Sequence, residues 1–156
     1  EEKIDKMQTQ LRILSGLYGM LRPLDQIQPY RLEMGTKISI GSNNNLYSFW
    51  KKKVTEQLKD ELKKDELVVN LASKEYFSVI DSDLISNTIV SPEFKDFKDG
   101  KLKIISFFAK KARGMMARYL IEQNTSSLED IRSFSKDGYY YSDEETKNMM
   151  CPVFIR

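Results

Sequence analysis

The sequence has 156 residues, 40% hydrophobic and 31% charged, a composition typical of a soluble globular protein with one domain-sized core. Its net charge is +2, with no histidine and a single cysteine, so these residues cannot form a histidine-based catalytic triad, a histidine metal site or an internal disulfide. No apolar run approaches the ~20 residues of a membrane helix and the first residues lack the pattern of a secretory signal, so we expect a cytoplasmic protein.

The chain opens with a helical pattern, because apolar residues recur at helical spacing, at Ile4, Met7, Leu11 and Leu14. The first residue is not methionine and the pattern is already under way there, so we expect further residues upstream in the whole protein. Residues 12–21 are apolar at nearly every position and include Gly16 and Gly19. They predict a buried strand that another backbone or a ligand approaches closely.

Residues 30–34 alternate in polarity and predict a strand with Arg31 and Glu33 on one side, where an ion pair is their expected role. After a polar loop, Asn45 is the expected N-cap of a helix that ends near Asp65. The apolar residues of that helix recur every four positions, at Leu46, Trp50, Val54, Leu58 and Leu62.

A short β-branched run at residues 67–71 predicts a buried strand that leads into a helix start at Ser73. Residues 88–90 and 101–108 predict two further strands, and Asp99-Gly100 predicts a tight turn between them.

A helix is predicted from Ala109 to Gln123, stopped by Asn124, and a capping box of Ser126 and Glu129 predicts a second, shorter helix. A final strand pair is predicted at residues 138–142 and 151–156. Together these elements predict one mixed α/β (α+β) domain over residues 1–156, with a mixed, largely antiparallel sheet flanked by helices.

The charge pattern singles out residues 101–121, which contain no carboxylate, whereas the rest of the chain mixes both signs. The cations of this segment are Lys101, Lys103, Lys110, Lys111, Arg113 and Arg118. Solvated helix faces usually mix signs, since opposite charges four residues apart favour the helix. We therefore favour anion binding over a solvated face, which stays the alternative.

At about 100° per residue, Lys110, Lys111, Gly114 and Arg118 fall on one side of the predicted helix. The opposite side is the expected core stripe, formed by Ala112, Met115, Met116, Tyr119 and Leu120. Arg113 lies at the far edge of that stripe. A glycine between cations opens a gap through which a phosphate or a backbone could come close, although it costs the helix about 1 kcal/mol against alanine.

Other segments give weaker signals. Ser73 and Lys74 follow a buried strand and fit either an anion site at a helix start or a plain capped helix. The tyrosines at 139–141 could stack on bases, but three consecutive strand residues cannot share one face, so we expect a split between core and surface. Asp81 and Asp83 lack the remaining residues of a calcium loop, and no metal site is predicted.

Three long blocks of this sequence resemble a known family. They are LRILSGLYGMLRPLDQIQPYRLEMGTKI, VVNLASKEYF and GKLKIISFFAKKARGMMARYLIE, and the closing GYYYSDEE and VFIR segments agree with them. In this order they resemble the YaaA family of bacterial peroxide-stress proteins over essentially the whole chain. Because members of that family have a further N-terminal portion, the chain resembles their C-terminal part.

The resemblance implies a cytoplasmic protein that helps cells survive hydrogen peroxide, with an α/β fold particular to the family. It also implies DNA binding through a positively charged cleft and a part in limiting iron-dependent damage. We expect the effect on iron to be indirect, because these residues show no iron site, and we predict no cofactor. The cleft residues implied at matching positions are Lys110, Lys111, Arg113, Arg118, Lys74, Arg22 and Arg31.

Two alternatives remain at this stage. In the first, the protein is an enzyme acting on a small phosphorylated or nucleotide-like substrate, which Lys110, Arg118 and Lys74 would clamp. Its general base would be one of three carboxylates, Glu33, Glu75 or Asp25, and no nucleophile is identifiable. In the second, the basic helix binds an acidic protein.

Overall fold

The structure is a computed structural model, and it describes residues 2–124 and 127–156. The helices in the described residues are α1 (Glu2–Gln10), α2 (Leu46–Glu61), α3 (Lys74–Phe77), α4 (Ser106–Gln123) and α5 (Leu128–Arg132), with a 3-10 turn at Ser82–Leu84. The strands are β1 (Ile13–Ser15), β2 (Gly19–Leu21), β3 (Val68–Val69), β4 (Ile89–Val90), β5 (Glu93–Lys98), β6 (Lys101–Lys103), β7 (Tyr140–Tyr141) and β8 (Val153–Ile155). None of these helices is long and apolar enough to cross a membrane.

The predicted mixed α/β class is confirmed, and the described strands lie in three sheets rather than one. Strands β1 and β2 form an antiparallel pair, and β3 and β4 form a parallel pair. The largest sheet has the order β6-β5-β8-β7, in which β5 and β8 run parallel and the other neighbours run antiparallel.

Contacts divide the chain into two compact units. The first unit comprises Glu1–Asp65 and Ala72–Asn87, and the second comprises Glu66–Leu71 and Thr88–Arg156. The first therefore contains α1 to α3 with the β1–β2 pair, and the second contains β3 to β8 with α4 and α5. One domain over residues 1–156 stays a prediction.

In the first unit, the single strand predicted at residues 12–21 is instead a hairpin of β1 and β2. The close approach predicted at its glycines is confirmed. A Cβ on Gly16 would lie 2.4 Å from the carbonyl oxygen of Leu32, and one on Gly19 would lie 2.8 Å from the ring of Trp50. Gly19 also has a φ of +78°, which side-chain-bearing residues rarely adopt, so the chain can reverse there.

The predicted start of α2 is confirmed, since the Asn45 side chain accepts a hydrogen bond of 2.8 Å from the backbone N–H of Ser48. The helix ends at Glu61, earlier than the end predicted near Asp65. The strand predicted at residues 30–34 was wrong, because this segment pairs with no other strand of the described chain. Alternating polarity shows that a segment has two faces, but a strand also needs a neighbouring edge to bond with.

The core of the second unit lies between α4, α5 and the four-stranded sheet. Its buried residues are Val90, Phe94, Ala109, Ala112, Met116, Ile131, Phe134, Tyr139 and Phe154. The rings of Phe94 and Phe154 stack with centroids 5.3 Å apart. The predicted core stripe of α4 is confirmed, because Ala112 and Met116 are fully buried and the other three residues are partly buried against this core.

Several predicted boundaries in the second unit need correction. Within residues 101–108 only Lys101–Lys103 is strand, and α4 begins at Ser106. The tight turn at Asp99-Gly100 is confirmed, with φ values of 55° and 74°, but it joins β6 to β5, a strand that the sequence pattern did not predict. Both positive φ values suit the two-residue turns that match the twist of a hairpin.

The remaining predictions for this unit concern helix ends and the last strands. Asn124 ends α4 in the left-handed region, with a φ of 53°, and β7 and β8 pair as predicted. The capping box predicted at Ser126 lies outside the described residues. The box that the structure shows at the start of α5 is formed by Ser127 and Asp130.

Candidate functional site

The exposed side of α4 is the candidate site, and we call it the outer face. It comprises Phe107, Lys110, Lys111, Gly114 and Arg118, all of which are exposed. Apart from the adjacent pair Lys110 and Lys111, neighbouring positions of this set are three or four residues apart, so they lie on one side of the helix. The opposite side of the helix is held against the core by Ala109, Ala112 and Met116, and this packing fixes which side faces solvent.

There is open space on the outer face beside Gly114. A Cβ placed on Gly114 would meet no atom within 4 Å, so packing does not require a glycine there. Lys110 and Arg118 lie one helical turn before and after it. Within residues 2–124 and 127–156, no carboxylate forms an ion pair with Lys110.

Two cations of the outer face have acidic neighbours. The Lys111 ammonium lies 3.1 Å from a carboxylate oxygen of Asp137, and the Arg118 Nε lies 3.0 Å from one of Glu122. The interpretation of this side as wholly unneutralised was therefore wrong for these two residues. Both carboxylates lie outside residues 101–121, one of them by a single position along the chain.

Asp137 belongs to a network that reaches the core. The Arg156 guanidinium bonds to Asp137 at 3.0 Å and to Asp96 at 2.7 and 2.8 Å, and Asp96 is only 6% exposed. The Tyr139 hydroxyl donates to the same Asp96 carboxylate at 2.6 Å. Because this network is anchored in the interior, it fixes the position of the carboxylate beside Lys111.

The pKa directions in this network follow from its contacts. The hydrogen bond from Lys111, and then the charges of Lys111 and Arg156, hold the pKa of Asp137 below its ordinary value. Burial, and then the hydrogen bond to Asp96, raise the pKa of Tyr139. Burial alone would lower the pKa of Arg156, but the contacts with Asp96 and the neighbouring charges raise it. Asp137 therefore stays ionised and Arg156 stays cationic near neutral pH.

Arg113 is a structural residue in this arrangement. It is half-buried, and its guanidinium donates to the carbonyl oxygens of Ala109 at 3.2 Å and Leu71 at 3.3 Å. Burial lowers its pKa. The structure thus brings Lys110, Lys111 and Arg118 together on the outer face and directs Arg113 towards the backbone.

The other predicted cations lie in the first unit, each in its own surroundings. Lys74 begins α3, a four-residue helix capped by the Ser73 side chain, so the capped-helix alternative describes it. Arg22 lies 3.4 Å from Glu61, which Arg12 also contacts. Partial burial acts to raise the pKa of Glu61, but hydrogen bonds from Gln57 and Arg12 and the nearby charges lower it.

Arg31 forms the expected ion pair with Glu33, at 3.5 Å, within the extended segment. The other two carboxylates proposed as a general base accept hydrogen bonds from backbone N–H groups. Glu75 accepts from Gly35 at 2.8 Å, and Asp25 accepts from Arg22 at 2.8 Å. Each of the three candidate general bases, Glu33, Glu75 and Asp25, is therefore engaged in an ion pair or a hydrogen bond within the first unit.

Two cavities in the first unit bear on the enzyme hypothesis. One, of about 450 Å³, is lined by residues such as Lys37, Ser39, Asn44 and Tyr47. The other, of about 260 Å³, is mainly apolar and lies beside Trp50. Neither is lined by Lys74, Lys110 or Arg118, the three cations that the hypothesis required as a clamp.

The tyrosines at 139–141 and the aspartate at 81, which were weaker candidates in the sequence, have structural roles. Tyr139 is buried while Tyr140 is exposed, which confirms the split between core and surface. The Asp81 carboxylate pairs with Lys51 at 3.1 Å.

Sequence reasoning missed Phe107 on the outer face, because residues 101–108 were interpreted as one strand. Continuing the helical wheel backwards by one turn would have found it, since Phe107 precedes Lys110 by three residues and Lys111 by four. The contact of Glu122 with Arg118 also has a four-residue spacing, so it could have been predicted from the sequence in the same way. The contact of Asp137 with Lys111 spans 26 residues and has no local signal.

Comparison with known proteins agrees with the resemblance found in the sequence. The family described as peroxide stress protein YaaA matches residues 1–145. The chain is 57% identical to a UPF0246 protein of Flavobacterium johnsoniae, with 94% of this chain and 58% of that protein covered. It is 51% identical to a UPF0246 protein of Shewanella woodyi, with 100% of this chain and 61% of that protein covered.

These relatives are longer than this chain, which spans about three fifths of their length. The matched regions nevertheless cover 94% and 100% of this chain in these two comparisons. The chain therefore belongs to the peroxide stress protein YaaA family.

Proposed function

We propose that the protein takes part in the bacterial response to peroxide by binding the phosphates of nucleic acid in the cytoplasm. The binding surface is the outer face of α4, with Lys110, Lys111 and Arg118 as phosphate ligands. The observation that supports this most directly is the open space at Gly114, because a glycine that packing does not require lies between two exposed cations.

The ion pairs on the outer face are compatible with phosphate binding. The side chains of Lys111 and Arg118 are 56% and 79% exposed, and exposed ion pairs contribute only about 0–1 kcal/mol. A phosphate can therefore replace Asp137 or Glu122 as the neighbour of each cation at little cost. Nucleic-acid binding then gains from the release of counterions that the phosphates had held.

The family membership supports the physiological part of the proposal, since the family is described by its role in peroxide stress. Peroxide damages DNA through iron, and the resemblance implies that the family limits this damage. We include that effect in the proposal as an indirect consequence of nucleic-acid binding. The activity of the whole protein, of which this chain covers about three fifths of the relatives' length, is part of the same proposal.

The test is a titration of labelled duplex DNA with the full-length protein at several salt concentrations. The variant combines Lys110→Ala, Lys111→Ala and Arg118→Ala. A control combines Lys52→Ala, Lys59→Ala and Lys64→Ala, three exposed lysines of the first unit, so the net charge falls equally in both. We expect only the first variant to flatten the salt dependence, by about 0.9 in the log–log slope for each phosphate that the protein no longer binds.

Equal affinities and slopes for the two variants would refute the outer face as the binding surface, because they would show that net charge alone matters. Titration with free nucleotide distinguishes the enzyme alternative from nucleic-acid binding. A small anionic substrate would bind in a saturable way at the same cations, whereas an open surface needs several phosphates to gain measurable affinity.

A further inference from the structure

Phe107 is the most exposed large hydrophobic residue in the described chain, at 73%. It lies on the outer face, one helical turn before Lys110 and Lys111. The rings of Phe107 and Phe108 form a T-shaped pair with centroids 5.6 Å apart, and the Arg156 guanidinium lies over Phe108 at 4.7 Å. Phe107 is therefore supported on one side by ordered groups while most of its surface faces solvent.

Within residues 2–124 and 127–156, neither packing nor helix formation explains a phenylalanine at this position. An exposed ring leaves apolar surface in water, and phenylalanine is a weaker helix former than alanine, leucine or lysine. An aromatic ring beside cations has a well-defined use, however. Proteins that bind single-stranded nucleic acid combine cations that follow the phosphates with aromatic rings on which bases stack.

We propose that Phe107 is a stacking surface for an unpaired base, and that the outer face consequently prefers single-stranded or locally unpaired nucleic acid to duplex. This inference rests on the proposed function, since it names the form of nucleic acid that the same cations bind. In a duplex the faces of the bases are covered by their neighbours, so only an unpaired base can present its face to the ring.

The dimensions of the face suit a short extended strand. Gly114 lies seven residues beyond Phe107, or about 10 Å along the axis, and Arg118 lies eleven residues beyond it, or about 16 Å. A strand whose base stacks on Phe107 can place its next phosphates at Lys110 and Lys111. Its backbone can then pass the open position at Gly114 before it reaches Arg118.

An apolar protein segment is the other occupant that an exposed phenylalanine could attract. Such a segment would remove Lys110 and Lys111 from water without giving them anionic groups, which is unfavourable for charged side chains. A nucleic acid supplies an apolar ring face and phosphates together. Charge complementarity therefore favours the nucleic acid.

The experiment measures the affinity of the full-length protein for a labelled oligothymidylate and for a duplex by fluorescence anisotropy. The variant is Phe107→Leu, which keeps an apolar side chain but removes the ring. Its control is Phe97→Leu on β5, since Phe97 is 68% exposed and does not belong to the outer face. Because both rings are largely exposed, both variants should keep the stability of the parent protein.

We expect tighter binding of oligothymidylate than of duplex, and a decrease in affinity of about 5- to 150-fold for oligothymidylate in Phe107→Leu, the range that stacking of one base provides. Duplex affinity should fall much less than oligothymidylate affinity, because the faces of paired bases are covered, and the salt slope should stay unchanged, because the ring has no charge. Phe97→Leu should behave like the parent protein. Ultraviolet cross-linking of an iodouracil-substituted oligomer should join the oligomer to Phe107.

The outcomes separate this inference from the proposed function. If Phe107→Leu binds oligothymidylate normally while the triple variant Lys110→Ala, Lys111→Ala and Arg118→Ala loses affinity, stacking is refuted and phosphate binding stands. An equal decrease for single strand and duplex would overturn the preference for unpaired bases, as would a cross-link outside the outer face. If the triple variant binds like the parent protein, the proposed function itself fails.

Discussion

Gly114 lies in the interior of an 18-residue helix and provides a test in which stability and binding should change in opposite directions. Glycine in a helix interior is about 0.8–1 kcal/mol less favourable than alanine, largely because it loses more backbone entropy on folding. The added methyl group of Gly114→Ala would meet nothing within 4 Å, so no clash reduces this gain. We therefore expect the free energy of unfolding to rise by about 1 kcal/mol, and Tm by about 2–4 °C.

The same methyl group would occupy the space between Lys110 and Arg118, so we expect the affinity for nucleic acid to fall. Urea unfolding followed by far-ultraviolet circular dichroism measures the first effect, and anisotropy titration at low salt measures the second. Gly16→Ala is the control, because its methyl group would lie 2.4 Å from the Leu32 carbonyl oxygen and should destabilise the protein instead.

Each half of this prediction can fail separately. A Gly114→Ala variant that is no more stable than the parent would show that the space beside the helix is not open to a methyl group. A variant that is more stable but binds nucleic acid as tightly as the parent would refute the close approach of phosphate at Gly114. Phosphate binding by Lys110, Lys111 and Arg118 would then have to occur without that approach.

Three further predictions concern the carboxylates of the second unit. Glu122→Gln should free Arg118 and strengthen duplex binding in low-salt anisotropy titrations, and unchanged or weaker binding would contradict its role as a competitor of phosphate. Asp96→Asn should lower the free energy of unfolding by about 1–3 kcal/mol in urea, because the Arg156 guanidinium loses its charged partner at this buried position and keeps only Asp137 among the described carboxylates, and an unchanged free energy would contradict this reasoning. The interaction of Asp137 with Lys111 stabilises the fold above the ordinary carboxyl pKa of 3.8, and this stabilisation disappears as pH falls through the lower folded value. Carboxyl NMR titration should show that Lys111→Gln raises the pKa of Asp137, and an unchanged pKa would refute the assigned cause.

Features determined by local sequence were predicted well. The spacing of apolar residues in α4 identified both its buried stripe and its exposed side, because a helix repeats every 3.6 residues whatever lies around it. Asn45 and Asn124 were recognised at helix ends, since capping depends on a few neighbouring residues. These predictions placed Lys110, Lys111 and Arg118 on one surface.

Features that depend on distant residues were not predictable in this way. Residues 101–108 contain an apolar run that suits a strand as well as a helix, and only the pairing of β6 with β5 limits the strand to three residues. Without that limit, Phe107 was placed on a strand and its position on the outer face could not be seen. The acidic neighbour of Lys111 comes from 26 positions further along the chain.

The charge pattern of residues 101–121 shows what a sequence window can and cannot establish about a site. The absence of carboxylates within the window did not make the outer face unneutralised, because Asp137 and Glu122 lie beside it in space. Exposed ion pairs form on most protein surfaces and contribute little, so neither their presence nor their absence identifies a binding site. Gly114 and Phe107 are more informative, because each is unfavourable for the helix or for solvation and neither is required by packing among the described residues. Residues that packing in the described part of the chain does not require, placed among exposed cations, are where we expect a ligand to bind.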